Sequence, residues 1–194
     1  MTPTLDELAE RLQALPGRAM IGIAGAPGAG KSTLAAALAE RVGGVVVPMD
    51  GFHRSNEDLA AEGRLDRKGE PASFDRAGFA ALLARIRSGE PVHAPLFDRE
   101  HERTVPDALE VPPDRPVITE GNYLLLWPEV AATLDEVWFL EPDEPTRLER
   151  LIARHVLHGR TPEQARQRAA TGSDADNARL VRPTRVDATL IIET

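Results

Sequence analysis

Gly25-Ala26-Pro27-Gly28-Ala29-Gly30-Lys31-Ser32-Thr33 is the stretch that decides how this chain folds. It matches G-x-x-x-x-G-K-[ST], a loop whose backbone N–H groups turn toward phosphate oxygens. Its flanks suit that use. Ala19-Met20-Ile21-Gly22-Ile23-Ala24 before it is a short apolar run that reads as a buried strand. Ser32 to Arg41 after it is rich in strong helix formers. A strand that feeds a helix through glycines aims the positive end of the helix dipole at an anion. Lys31 adds a full charge, and Ser32 offers a hydroxyl to Mg²⁺. Gly25 through Thr33 are therefore nucleotide-binding candidates, and a glycine-rich turn matching by chance would lack both flanks.

The composition narrows the partners. The chain has 194 residues, a length suited to one domain with its own core, expected here over 1–194. Lys and Arg number 23 against 31 Asp and Glu, a net charge of −8. That balance argues against a nucleic-acid polymer, whose phosphates demand a basic face. There is no cysteine, so a disulfide scaffold and a thiolate metal site are excluded. No apolar run approaches the roughly 20 residues that cross a bilayer, and no membrane partner is expected. The segment Met1 to Glu7 is polar and acidic, unlike a signal peptide. A cytoplasmic protein is the expectation, with monomer and homodimer both open.

Strands and helices alternate along the chain. Thr4 to Leu15 has a capping-box start and leucines on one face. Val45 to Met49 reads as a second strand, Pro116 to Glu120 as a third, Glu136 to Leu140 as a fourth and Ala188 to Ile192 as a fifth. Phe74 to Ser88 reads as a helix, as does Pro145 to His158, and Thr161-Pro162-Glu163 opens another. Leu124 to Leu134 reads as a short helical connection interrupted at Pro128. Two stretches stand apart: 51–73, a polar excursion with one short helix near Glu57 to Glu62, and 91–113, a hairpin-like insertion. This alternation implies an α/β fold with a mostly parallel sheet covered on both faces, in which ligands bind beyond the carboxyl ends of the strands.

Asp50 and Glu120 both follow strand ends and should share a crevice with the loop. Phosphoryl transfer needs held phosphates, a metal and a positioned acceptor. Lys31 and its loop supply the first, and Ser32 with Glu120 are the metal candidates, Glu120 reaching the ion directly or through water. Asp50 is the candidate general base; an Asp before Gly51 also suits a plain turn. Among the arginines after the fourth strand, Arg150 and Arg154 at i, i+4 are kept as triphosphate contacts on a mobile segment over about 145–172. The others, Arg147 with Glu144 among them, read as a solvated helix face. His155 and His158 read as surface or lid residues. Phe52, His53, Phe97, Asp98, Arg99 and Tyr123 lie on flanking loops as candidates for an acceptor pocket. Two functions compete on this reading: a kinase acting on a small metabolite, and a nucleotide-binding regulator with slow ATP hydrolysis.

Five ordered motifs then carry a likeness: the loop itself, Met49-Asp50-Gly51-Phe52-His53, Arg67 to Asp75, Pro95-Leu96-Phe97-Asp98-Arg99, and Thr119-Glu120-Gly121-Asn122-Tyr123. Together they resemble the phosphoribulokinase/uridine kinase/bacterial pantothenate kinase family of P-loop kinases. The late Ser173-Asp174-Ala175-Asp176-Asn177-Ala178 resembles a bacterial subgroup described as fructose-transport-system-kinase-like or nucleoside-kinase-like. The resemblance implies a three-layer P-loop NTPase fold with five parallel strands in the order 2-3-1-4-5, a small hairpin-like insertion and a helical lid. It implies ATP and Mg²⁺ as requirements and a small-molecule acceptor as partner. Asp50 takes the place of the family's catalytic aspartate, Glu120 of its metal-associated acid, and Phe97-Asp98 of its aromatic-Asp acceptor motif. Phe97 stands where uridine kinases carry Tyr, and the following His and Arg are more closely spaced. The resemblance thus fixes a reaction type and leaves a sugar, a nucleoside or a pantothenate-like alcohol open as acceptor.

Overall fold

Thr4 caps the first helix reciprocally, its hydroxyl accepting from the Glu7 N–H while the Glu7 carboxylate accepts from the Thr4 N–H. The structure is a computed structural model that describes residues 2–194, so Met1 lies outside the described residues. Helix α1 (Leu5–Gln13) buries Leu8 and Leu12 on the sheet side. Strand β1 (Met20–Ala24) is buried at every position, as an apolar strand between two helical layers should be. The loop follows, then α2 (Lys31–Val42) and β2 (Val45–Pro48).

The polar stretch 51–73 is more regular than expected. A 3₁₀ turn spans Met49–Phe52, α3 spans Asn56–Ala61 with Ser55 as its cap, and further 3₁₀ turns cover Leu65–Arg67 and Pro71–Ser73. Helix α4 (Arg76–Arg87) starts at an Asp75 cap. The expected hairpin forms from β3 (Val92–Asp98) and β4 (Arg103–Val111), paired antiparallel. Strand β5 (Val117–Gly121) then enters the sheet. Pro128 does not interrupt a helix; it starts one, α5 (Pro128–Ala131). At the first helical position its fixed φ is already helical and its missing N–H would have had no partner.

After β6 (Glu136–Glu141), α6 (Glu144–Leu157) and α7 (Pro162–Ala170) pack on each other. Helix α8 (Ser173–Val181) was not expected; its buried face is made of Ala175, Ala178 and Val181 with Asp174 and Asn177, too small and too polar to show as periodicity. The last strand, β7 (Leu190–Glu193), starts two residues later than expected, because a 3₁₀ stretch runs on to Asp187.

Among the described residues, five strands form the parallel sheet in the order β2-β5-β1-β6-β7. With the hairpin strands set aside, that is 2-3-1-4-5. Two apolar layers flank it. One packs Phe79, Leu83, Tyr123 and Trp127 under the hairpin side, and the other packs Leu12, Leu38, Ile118 and Trp138. In register, Glu120 lies beside Ile23 on one flank and Pro48 on the other. The carboxyl ends of β1, β2 and β5 are therefore level, and the residues that follow them meet at one edge.

Gly51 couples that edge to the hairpin. A Cβ there would lie 2.1 Å from the Pro95 carbonyl oxygen, a backbone atom with little room to give. We expect Gly51→Ala to lower stability by about 1–3 kcal/mol, read as a reduced urea midpoint; an unchanged midpoint would show that the hairpin shifts freely.

Candidate active site

The chain leaves β1 at Ala24 and turns through Gly25 to Gly30 into α2. Gly28 takes φ +85°, and a Cβ on it would lie 2.7 Å from the Arg147 carbonyl oxygen. Only glycine both adopts that backbone and lets α6 lie against the loop. Gly30 gives α2 no side-chain cap, so its first N–H groups are left for an anion. Lys31 is buried, and its Nζ donates to Gly25 O (3.0 Å), Ala26 O (3.1 Å) and Asn122 Oδ1 (2.7 Å). Burial holds its pKa down to about 8, with the Glu120 carboxylate pulling the other way.

Ser32 donates its hydroxyl to Glu120 Oε1 at 3.0 Å. Glu120 is 7% exposed, and burial pushes its carboxyl above the usual range while Lys31 opposes the shift. A hydroxyl and a carboxylate in contact are hard oxygen donors, the partial set that Mg²⁺ takes from a protein when phosphates and water complete its shell. Among the described residues no cluster of three His, Cys, Asp or Glu forms a self-sufficient metal site. The donor set fits Mg²⁺ carried in with phosphates.

Asp50 sits in the 3₁₀ turn after β2, where its carboxylate pairs with Arg99 from the hairpin turn. A cavity of about 310 Å³ opens between Ser32, Asp50 and Glu120 on one wall and Leu96, Phe97 and Arg99 on the other. His53 stands behind, its ring 4.1 Å from Phe74 and 4.5 Å from Phe97. Burial lowers its pKa and favours the neutral ring. The structure thus brings Ser32, Asp50, Phe97, Arg99 and Glu120 together, with Lys31 beside them.

Three expected pocket residues sit elsewhere. Tyr123 is fully buried among Phe74 and Trp127, and its hydroxyl donates to Gly69 O at 2.6 Å. Asp98 closes the hairpin turn, accepting from the Glu100 and His101 N–H groups at 3.0 and 3.1 Å. Phe52 turns to the core, 4.9 Å from Phe79. Each is drawn off by a local partner: apolar rings for Phe52 and Tyr123, unpaired turn amides for Asp98.

On α6, Arg150 Nη1 reaches Ala29 O at 3.4 Å, and Arg154 is exposed where the charges of Asp50, Glu120, Arg99 and Asp174 act on it. Arg147 is not on a solvated face. It is 2% exposed, donates to Pro27 O at 2.8 Å, and holds Glu144 with two further bonds of 2.9 and 2.7 Å. His155 is likewise buried, 2.6 Å from Asp174. Asn122 was missed as a partner of Lys31; its position two residues after Glu120 was the available signal.

Comparison with known proteins finds a family and several relatives. Residues 20–194 match the model of the Phosphoribulokinase / Uridine kinase family. A solved structure from Silicibacter sp. TM1040, provisionally described as a fructose transport system kinase, superposes with a TM-score of 0.86 at 40% identity, covering 97% of this chain and 98% of that one. The uncharacterized Escherichia coli protein YggC is 34% identical over 91% of this chain and 78% of its own length. A uridine kinase of Deinococcus deserti is 31% identical over 89% of this chain and 86% of its own.

The depressed Lys31 pKa has a sign that can be measured. Near pH 8 the amine is partly neutral, and bound phosphates favour the ammonium, so binding takes up protons and weakens as pH rises through that value. Calorimetric titration of Mg-ATP at pH 8 in two buffers of different ionisation enthalpy should show uptake approaching about half a proton. No uptake would mean that Lys31 is already fully charged in the free protein.

Proposed function

The chain belongs to the Phosphoribulokinase / Uridine kinase family, and from that premise we propose that Asp50 takes the proton of an acceptor hydroxyl as the γ-phosphoryl group of ATP passes to its oxygen. The protein is an ATP-dependent phosphotransferase with an alcohol group as acceptor. The observation that carries the assignment of Asp50 is the cavity itself, which Asp50 lines together with Ser32 and Glu120. In the transfer, the hydroxyl oxygen bonds to the γ-phosphorus, the bond from that phosphorus to the bridging oxygen breaks, the proton goes to Asp50, and ADP leaves.

The backbone N–H groups of Gly25 to Thr33 and the Lys31 ammonium hold the phosphates, and Arg150 and Arg154 close on them from α6, within a lid over about 145–172. Ser32 and Glu120 would hold Mg²⁺, which supplies neutralisation of phosphate charge. On the acceptor side, within the insertions at 51–73 and 91–113, Phe97 and Arg99 face the hydroxyl compound, His53 sets the position of Phe97, and Asp98 holds the hairpin turn that carries Arg99. Such a phosphotransferase works in the cytoplasm, where its ATP is. A nucleotide switch with slow hydrolysis has no use for a carboxylate in an acceptor cavity, and nothing in the geometry favours it.

Asp50→Asn keeps the shape and removes the base. We expect turnover to fall by about 10² or more while Mg-ATP affinity changes by less than about threefold. Turnover within about threefold of the parent protein would remove Asp50 from the role.

A further inference from the structure

Arg99 bears on which alcohols this site accepts. Its guanidinium lines the cavity, and the partner it has there is the Asp50 carboxylate. It stands on the turn after β3, half exposed, with no part in the apolar core. A pair this exposed adds little to stability, so holding the fold together does not account for it. The pairing also occupies Oδ2 of the carboxylate assigned as base. An acceptor hydroxyl approaching Asp50 thus meets an arginine already bound there.

The charges around the cavity have a direction. Asp50 and Glu120 form the wall nearest the loop, and an anion placed against them would be repelled. Across from them Arg99 is the cation of the lining; Lys68, its Nζ 5.0 Å over the Phe97 ring, is already held by Asn56 and Glu102. Arginine presents a planar fork that fits a carboxylate or a phosphate through two parallel N–H bonds.

We propose that the acceptor is a compact hydroxyl compound bearing its own carboxylate or phosphate, and that this anion draws Arg99 off Asp50 and frees the base. This rests on Asp50 being the base. The exchange leaves the guanidinium paired with the incoming anion and uncovers the Asp50 carboxylate, which is then open to the acceptor hydroxyl. A neutral alcohol offers Arg99 nothing in return, and the Asp50 oxygen stays covered. A cavity of about 310 Å³ lined by both Arg99 and Asp50 suits a small molecule that carries its hydroxyl and its anion close together.

Matched pairs test this: D-glycerate against glycerol, glycolate against ethylene glycol, and ribose 5-phosphate against ribose, each assayed for acceptor-dependent ADP formation with Mg-ATP. The first two pairs probe a carboxylate and the third a phosphate. In the parent protein the anionic member of at least one pair should exceed its neutral partner in kcat/KM by about 10- to 100-fold, the range of a charge-assisted bond. In Arg99→Met that ratio should collapse to within about threefold, chiefly through a higher KM for the anionic member. Arg99→Lys should recover only part of it, since a point charge lacks the fork. Thermal midpoints of both variants establish that they are folded. Neutral members matching or exceeding anionic ones in the parent protein overturn the inference and leave the kinase reading standing, as does a ratio unchanged in Arg99→Met. ADP formation indifferent to every member of every pair overturns the inference, and the kinase reading is left to the Asp50→Asn measurement.

Discussion

An ammonium group held out of water at the carboxyl edge of a parallel sheet governs the arrangement around it. Isolated, a buried charge of this kind would simply deprotonate. Here Lys31 keeps three hydrogen bonds, two to carbonyls of its own loop and one to Asn122, and it has the Glu120 carboxylate in its field. Those partners sit at or just past the ends of two neighbouring strands, so the charge is tolerated only while β1 and β5 stay in register. The site and the sheet are thus mutually dependent. The loop's glycines allow the turn, but the partners across the edge are what let the lysine stay.

The acceptor side is built on another principle. No regular element carries Asp50 into the cavity; a 3₁₀ turn does, wedged between the sheet and the hairpin, with Gly51 against the Pro95 carbonyl. Aromatic rings fill the space behind, from Phe97 through His53 and Phe74 to Tyr123 and Trp127. A hydrogen bond from the Thr104 hydroxyl to His53 O and the Tyr123 bond to Gly69 O stitch the polar stretch to hairpin and core. The donor half of the crevice is backbone geometry; the acceptor half is side-chain packing.

This difference explains what the amino-acid order reveals. The loop, the buried strands and the positions of Asp50 and Glu120 were legible, because glycine spacing and apolar runs are local signals. The strand order came from a family likeness rather than from periodicity. Arg147 was misread because its i, i+3 partner Glu144 resembles an ordinary surface pair, and nothing local shows that the Pro27 carbonyl lies above it. Tyr123 and Asp98 sit in motifs beside pocket residues, yet their side chains answer to Gly69 and to the hairpin turn. Helix α8 escaped notice because alanine, asparagine and aspartate make up its inner face.

The bond from Arg147 to the Pro27 carbonyl has a mechanical consequence. It rivets the first turn of α6 to the loop that grips the phosphates, while at the other end of the helix Leu157 is 83% exposed. Near that far end the buried His155–Asp174 contact ties α6 to α8 at 2.6 Å, so the helix is held at both ends. Any folding-over of this region onto a nucleotide therefore has to carry the loop, α6 and α8 together or break one of those two contacts.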